Sequence, residues 1–330
     1  MLTLLLIFLS VFCASLPMIV LLAIVWWLDR YEREPVWLHS LVFLWGAIGG
    51  VFLGGASGFI LEGAIGLIFG SQAGSIAGAV MIAPVVEEIA KGLVILMIVW
   101  NRHFDNATDG FVYGAAAGLG FGMVENFMYF AMMSADPGMW LATVFLRTLF
   151  SAPMHALASA CFGAAVGYAK WIRRPWAYLV LPPIGLACGI MIHFLWNLFA
   201  VASDEFNTGI PFLFSVLVFT GELLLVFLLF QLSLYGESLM IRRQLAKEIS
   251  TGLIPADHVS RLSSYFGRFG RSWLPPEVDR SRYVKKTTEL AFRMAQRDSC
   301  SQGAQRDFYE LEVHRIRTEI WEITSRDRQG

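Results

Sequence analysis

Over the first 235 positions the apolar residues come in long runs. They show neither the two-residue alternation of a half-buried strand nor a narrow helical stripe with a charged opposite face. Seven runs stand out, roughly Leu2–Leu28, Val36–Ala56, Ile76–Trp100, Phe111–Met133, Trp140–Ala169, Ala177–Ala200 and Ile210–Tyr235. Each has at least the about 20 residues that a helix needs to cross the hydrocarbon of a bilayer. Beyond Tyr235 the pattern changes. Charged residues alternate with apolar ones at helical spacing, as in Arg306–Ile323, where Phe308, Leu311, Ile316, Ile320 and Ile323 are separated by charges. Gly252, Pro255, Gly267, Gly270 and Pro275–Pro276 punctuate this stretch as turns. The expected fold class is all-α: a polytopic membrane helix bundle of about seven spans, residues 1–235, followed by a helical cytoplasmic tail, residues 236–330.

Composition agrees and sharpens the division. The 330 residues are 56% hydrophobic and 15% charged, with a mean hydropathy of +0.59, which excludes an ordinary soluble domain. Residues 1–235 hold 8 Lys and Arg against 13 Asp and Glu, whereas residues 236–330 hold 17 against 13. The tail is therefore mildly basic, and contact with anionic membrane lipid is compatible with it. It carries no catalytic or nucleic-acid motif, so nucleic acid is not an expected partner. The bland reading of the tail is a regulatory or docking domain. Cys13, Cys161, Cys188 and Cys300 have no spacing that suggests a disulfide framework or a zinc ribbon. The first apolar run lacks a basic leader and a small-residue cleavage site, and is read as a retained span.

Basic residues set the expected orientation. Arg30 and Arg33 follow the first run, Arg102 the third, Lys170, Arg173 and Arg174 the fifth, and Arg242, Arg243 and Lys247 the seventh. The alternate loops, Ser57–Ser75, Ser134–Met139 and Val201–Gly209, contain no Lys or Arg. That is the pattern of an N-out, C-in multi-pass protein of the cell membrane. Ser57–Gly70 is apolar enough to form a half-helix or a re-entrant piece.

The chemistry lies in residues that break these runs. Glu87, Glu88 and Lys91 sit in the third run, Glu125 and Asn126 in the fourth, His155 in the fifth, and His193 and Asn197 in the sixth. A charge at mid-bilayer costs about 2.5–3.5 kcal/mol on insertion scales, and four successive runs carry such a residue. One shared polar site in the bundle interior accounts for all of them. On a helix Glu87 and Lys91 lie one turn apart and Glu88 and Lys91 nearly so. Lys91 can neutralise one carboxylate and leave the other as a general base toward water. A structural Glu–Lys staple is the plain alternative. His193 and Asn197 are also one turn apart and can donate to a single oxygen, as an oxyanion requires; an interhelical hydrogen bond would need the same pair. His155 follows Pro153, whose missing N–H frees a carbonyl. Arg147 lies near the outer end of its run, where it can snorkel, and is given no role.

Two runs carry glycine at every fourth residue: Gly46, Gly50, Gly54 and Gly58, then Gly110, Gly114, Gly118 and Gly122. Such faces let membrane helices approach closely. The first set reads as packing alone. Glu125 lies close to whole turns beyond Gly114 and Gly118, so it is expected on the glycine face, toward a neighbouring helix.

These residues resemble the PrsW family of intramembrane proteases, within the wider group that includes the CAAX prenyl endopeptidases. The matching stretches are Glu87-Glu88-x-x-Lys91, Asp109-Gly110-Phe-Val112-Tyr113-Gly114, Leu119-Gly120-Phe121-x-x-x-Glu125-Asn126, His155 with the small-residue run Gly163–Gly167, and His193-x-x-x-Asn197. They cover about Pro84–Asn197. The final motif ends in Asn197 where some relatives carry Asp, and the tail from Gly236 matches no part of the family. The resemblance implies hydrolysis of a peptide bond in a membrane-anchored substrate. By likeness to the CAAX enzymes, Glu87, assisted by Glu125, activates water, and His193 and Asn197 hold the oxyanion. Glu88 belongs to the same catalytic set and, with Lys91, Asn126 and His155, supports it. A metal site is the other option, with His155, His193 and Glu88 as ligands to zinc. The glutamate mechanism without a cofactor is preferred, because there is no His-Glu-x-x-His. The family likeness further suggests a single-span membrane protein as substrate, such as an anti-sigma factor.

Three other readings use parts of the same pattern. Gly55-Ala56-Ser57-Gly58 matches the G-x-S-G of a rhomboid-type serine protease but leaves the glutamates unexplained. Intramembrane Glu and His also build the proton relays of transporters and channels, although no inverted repeat is visible. A non-catalytic membrane scaffold with a signalling tail is the third.

Overall fold

The computed structural model describes residues 1–270, 272–300 and 303–325, and among these every regular element is helical. The chain divides into two compact units, one of Met1–Asp29 and Glu34–Phe230, the other of Arg30–Arg33 and Gln231–Gly330.

The first unit is built from α1 (Leu2–Leu28), α2 (Val36–Trp45), α3 (Val51–Phe69), α4 (Ser71–Ala77), α5 (Ala83–Ile98), α6 (Ala107–Met133), α7 (Pro137–Leu146), α8 (Ala152–Ile172), α9 (Pro175–Glu205) and the first part of α10 (Ile210–Ala246). Single π-helical turns join α2 to α3 at Gly46–Gly50, α4 to α5 at Gly78–Ile82 and α7 to α8 at Arg147–Ser151. Among the described residues five continuous helices are long and apolar enough to cross a membrane: Leu2–Leu28, Val36–Phe69, Pro137–Ile172, Pro175–Glu205 and Ile210–Ala246. The other two expected spans are helical but less apolar. α5 carries Glu87, Glu88 and Lys91, and α6 is rich in glycine and alanine.

α6 is the central helix, buried almost continuously from Thr108 to Gly122. Its composition follows from that position, since a helix packed on several sides needs small residues rather than lipid-facing leucines. A capping box starts it. Asn106 accepts from the backbone N–H groups of Thr108 and Asp109, and Asp109 accepts from that of Asn106. Its glycine face meets α8 backbone to backbone: a Cβ at Gly110, Gly114 or Gly118 would run into the carbonyls of Gly163, Ser159 and His155 respectively. On another face Gly120 lies against the Phe43 carbonyl.

The segment Ser57–Gly70, expected as a loop or half-helix, instead continues the second span. Val36–Phe69 is one helix of 34 residues, about 51 Å at 1.5 Å per residue and well beyond the about 30 Å of hydrocarbon. The chain then reverses at Gly70, whose φ of +95° is open to glycine and costly for other residues. α4 folds back so that Gly74 lies on Gly66.

The second unit contains α11 (Ala256–Ser263), a 3-10 turn (Gly267–Phe269), α12 (Arg280–Ser299) and α13 (Ala304–Ser325). Ile241 and Leu245, from the last turns of α10, join Leu262, Tyr283, Leu290, Phe292, Ile316 and Ile320 in its core. α10 therefore runs uninterrupted through the expected boundary at residue 235. The buried stripe of α13 is Val313, Ile316, Ile320 and Ile323. Phe308 and Leu311, expected on that stripe, are exposed, because their spacing places them off the face that those four residues share.

Candidate active site

Four helices and two π-helical turns bring the polar residues together. Both turns stand just before a proline: Gly78–Ile82 before Pro84, and Arg147–Ser151 before Pro153. Proline has no N–H to close the preceding turn, and a wide turn is one way for the helix to accommodate that. Glu87 follows the first proline by three residues and His155 follows the second by two. Asn197, on α9, donates from Nδ2 to the carbonyl of Ala79 within the first π turn, at 2.9 Å.

Glu88 is the saturated carboxylate. Its Oε1 accepts from Lys91 Nζ at 2.5 Å and faces His193 Nδ1 at 3.0 Å, and its Oε2 accepts from Ser159 Oγ at 2.8 Å. Only 2% of its side chain is exposed. Glu87 is the opposite case. Its Oε2 is buried and has no hydrogen-bond partner. Lys91 Nζ is 3.9 Å from it and His193 Nε2 is 3.8 Å from it. With Nδ1 held by an ionised carboxylate that also binds an ammonium, His193 carries its proton on Nδ1 and turns Nε2 toward Glu87; the tautomer is assigned from these partners.

Glu125 forms the other end of the site. Its Oε2 lies 2.6 Å from His155 Nε2 and 2.7 Å from Arg147 Nη2. His155 Nδ1 lies 3.1 Å from Lys91 Nζ. The two histidine rings meet edge to face with centroids 4.7 Å apart. Arg147 also donates from Nε to Asn126 Oδ1 at 3.0 Å and lies 3.7 Å over the Tyr129 ring. A connected series of polar contacts thus runs from Arg147 through Glu125, His155, Lys91 and Glu88 to His193.

All of the expected site residues except Asn197 belong to this series or face it, but several have other partners than expected. Glu125 holds His155 and Arg147, not Glu87. His193 and Asn197 do not converge on one acceptor, because Nδ2 of Asn197 is bonded to Ala79. Glu88 is a poor ligand for a metal because both of its oxygens are engaged. The group whose donor atoms lie within 4.8 Å of one another is Glu87, His155 and His193. Arg147 does not snorkel but turns inward. Ser159 leaves no signal in the sequence, since serine is common in membrane helices, and the sequence gives Arg147 no role, since an arginine near a span end has a simpler reading. The first glycine set is also more than packing. Gly50 faces Lys91 and Phe121, and a Cβ at Gly54 would stand 3.1 Å from Cγ of Glu87. Ser57 of the G-x-S-G match is exposed in the middle of α3.

A second buried acidic group lies in the same unit. Asp29, Glu34 and Asp109 also have donor atoms within 4.8 Å of one another. Asp109 Oδ2 accepts from the backbone N–H groups of Asp105 and Asn106, at 2.5 and 3.0 Å, and Glu34 accepts from the hydroxyl of Tyr113.

The family described as PrsW family intramembrane metalloprotease matches residues 34–226, which include every residue of the site. Protease PrsW of Geobacillus kaustophilus is 31% identical over 172 residues, covering 50% of this chain and 71% of that protein. Protease PrsW of Bacillus subtilis is 30% identical over 156 residues, covering 47% of this chain and 66% of its own. Protease PrsW of Clostridioides difficile is 28% identical over 183 residues, covering 51% and 73%. No solved structure matches. With buried carboxylates and histidines gathered among helices apolar enough to span a bilayer, and with the family match covering more than half of its length, this chain belongs to the PrsW family of intramembrane proteases.

Proposed function

We propose that this multi-pass membrane peptidase cleaves by glutamate-activated water, with Glu87 as the base. The observation that carries the reading is the contrast between neighbours: Glu88 is fully hydrogen-bonded, whereas Glu87 Oε2 is buried without a partner and faces His193 Nε2 at 3.8 Å. A carboxylate engaged three times over has little to offer a reacting water. One with a bare oxygen can take its proton.

In this mechanism Glu87 Oε2 removes a proton from water and the water oxygen attacks the carbonyl carbon of the scissile bond. The carbonyl oxygen becomes an oxyanion. His193, held at Nδ1 by Glu88, accepts the second hydrogen of the attacking water at Nε2 and so orients it against Glu87. The tetrahedral intermediate then expels the amine, which receives the proton from Glu87. Asn197 acts by fixing the π turn that leads into the helix of Glu87.

The family's description implies a metal, and the donor set Glu87, His155 and His193 fits one only in part. Bound, a metal would polarise the scissile carbonyl or the water. Two donors suit it. Glu87 Oε2 is bare, and His193 Nε2 is oriented through its other nitrogen by a carboxylate, as ligating histidines commonly are. The third does not. His155 is engaged at both nitrogens, and its Nδ1 faces an ammonium where a ligating histidine would donate a proton to an acceptor. Catalytic zinc sites have three protein ligands, so this set falls one short unless Lys91 moves away. That supports the glutamate reading over a metal-dependent one.

The crossing count is part of the same proposal: α5 and α6 traverse the bilayer inside the bundle, giving seven spans with the N-terminus outside and the tail in the cytoplasm. The substrate we propose is a single-span membrane protein, such as an anti-sigma factor, on the strength of family likeness. The test is comparison of new protein termini in membranes of cells carrying the wild type or Glu87→Gln. Termini in single-span proteins that vanish with Glu87→Gln support the reading. An identical set in both, with equal abundance of the two proteases, contradicts it.

A further inference from the structure

We propose that Arg147 is a positioning residue whose role is to keep Lys91 away from Glu87. The inference rests on the reading of Glu87 as the base and explains why that base is unpartnered although a lysine sits beside it.

The argument follows the protons. Lys91 is completely buried, with its ammonium among four possible acceptors. It has three N–H groups. One goes to Glu88 at 2.5 Å, one to His155 Nδ1 at 3.1 Å, and the third side of the ammonium lies over the face of Phe121, 4.2 Å from the ring centroid. Nothing is left for Glu87, at 3.9 Å. This division requires His155 Nδ1 to be bare. With an ammonium at Nδ1 and a carboxylate at Nε2, the tautomer assigned from these partners leaves Nδ1 bare and carries the proton on Nε2, which gives it to Glu125 at 2.6 Å. Glu125 in turn is held by Arg147, whose Nη2 stands 2.7 Å from the same oxygen. Asn126 and Tyr129 fix the guanidinium from the other side. Without Arg147, Glu125 loses its counter-charge and its fixed position. His155 is then free to exchange its two nitrogens. A protonated Nδ1 would repel the ammonium, and the nearest carboxylate with a bare oxygen is Glu87. Lys91 pairing with Glu87 would occupy the base.

The proposal predicts a loss in turnover rather than in substrate binding. The test uses full-length protein in detergent micelles with dye-labelled casein as probe. Arg147→Met should lower kcat by about 10²-fold, the scale of a misplaced catalytic group, with KM within about twofold. Arg147→Lys, which keeps the charge, should recover a large part of the loss. A second readout needs no substrate: nitrogen-15 NMR of labelled histidine, with His155→Gln for assignment. The wild type should show His155 protonated at Nε2 only, and Arg147→Met should abolish that signature while the signals of tail His258 and His314 stay in place. Unchanged kcat in Arg147→Met, or an unchanged His155 tautomer, overturns the proposal. If casein is not cut by the wild type, the NMR arm decides alone. If cleavage persists in Glu87→Gln while Arg147→Met still resets His155, the glutamate reading fails and the Arg147–Glu125–His155 arrangement stands.

Discussion

Two groups of three carboxylates stand in the interior of the same helical unit, and they differ in what satisfies them. Asp109 and Glu34 are tied to the backbone and to a tyrosine: Asp109 closes the start of α6, and Glu34 takes the Tyr113 hydroxyl, with Asp29 buried beside them. Glu87, Glu88 and Glu125 are tied to ionisable side chains, namely Lys91, Arg147, His155 and His193. The first arrangement fixes a helix end. The second contains groups that can exchange protons, and one oxygen in it, on Glu87, has no hydrogen bond. Burial of acids is common to both, so burial alone does not mark a reactive site. A carboxylate oxygen left without a hydrogen bond beside a lysine and a histidine does.

Breaking the two groups should therefore have opposite signatures. The largest effect on chemistry is expected from Glu87→Gln. An amide cannot take the proton, and the rate should fall by about 10⁴-fold, the upper range for a positioned base. The melting temperature should stay near that of the wild type, because Glu87 Oε2 makes no hydrogen bond to lose. Steady-state cleavage and thermal unfolding of the same preparation check both halves.

Glu88→Gln should do the reverse in the first instance. It weakens contacts to Lys91, His193 and Ser159, and disrupting a buried ion pair costs about 3–5 kcal/mol. Unfolding should move sharply, and activity should fall with the folded fraction and with the loss of His193 orientation. If Glu88→Gln proves as stable as the wild type, the division of labour between the two glutamates is wrong.

Asp109→Ala belongs to the first group. It leaves the backbone N–H groups of Asp105 and Asn106 without their acceptor, at about 1–3 kcal/mol in stability. Activity per folded molecule should be unchanged. A loss of turnover at full folding would mean that this acidic group also takes part in chemistry.

The smallest effect expected is that of Asn197→Ala. Loss of a direct oxyanion donor would cost about 10²–10³ in rate. Because Asn197 Nδ2 is bonded to the Ala79 carbonyl, the fall should stay below about tenfold, consistent with a positioning contact. A loss of two orders of magnitude, measured as kcat on casein, would return Asn197 to the oxyanion.

Much of this arrangement is legible in the sequence because each site residue violates the apolarity of its own helix. Glu87, Lys91, Glu125, His155 and His193 could be grouped on that ground alone, and the glycine face of α6 points Glu125 toward α8, where Gly110, Gly114 and Gly118 do pack. The family likeness covers the same residues, and the family match now takes the place of the transporter and scaffold readings. Other features leave no such trace. Gly50 and Gly54 line the site, yet a small-residue face looks the same whether it meets a side chain or another backbone. Arg147 has two equally simple positions, snorkelling or inward, and only its contacts with Glu125, Asn126 and Tyr129 decide between them. The partition of partners between Glu87 and Glu88 depends on ångström differences around Lys91, which no spacing rule contains. The reach of α10 into the second unit is hidden because the apolar run fades gradually while the helix does not stop.

The central claim is that Glu87 acts on water without a metal, and metal content measured on active, purified protein tests it most directly. Elemental analysis should find no metal near one per chain, and cleavage should survive prolonged exposure to a strong chelator. About one zinc per chain, removed together with activity by the chelator and restored together with it on zinc addition, would contradict the account and place Glu87, His155 and His193 around the ion.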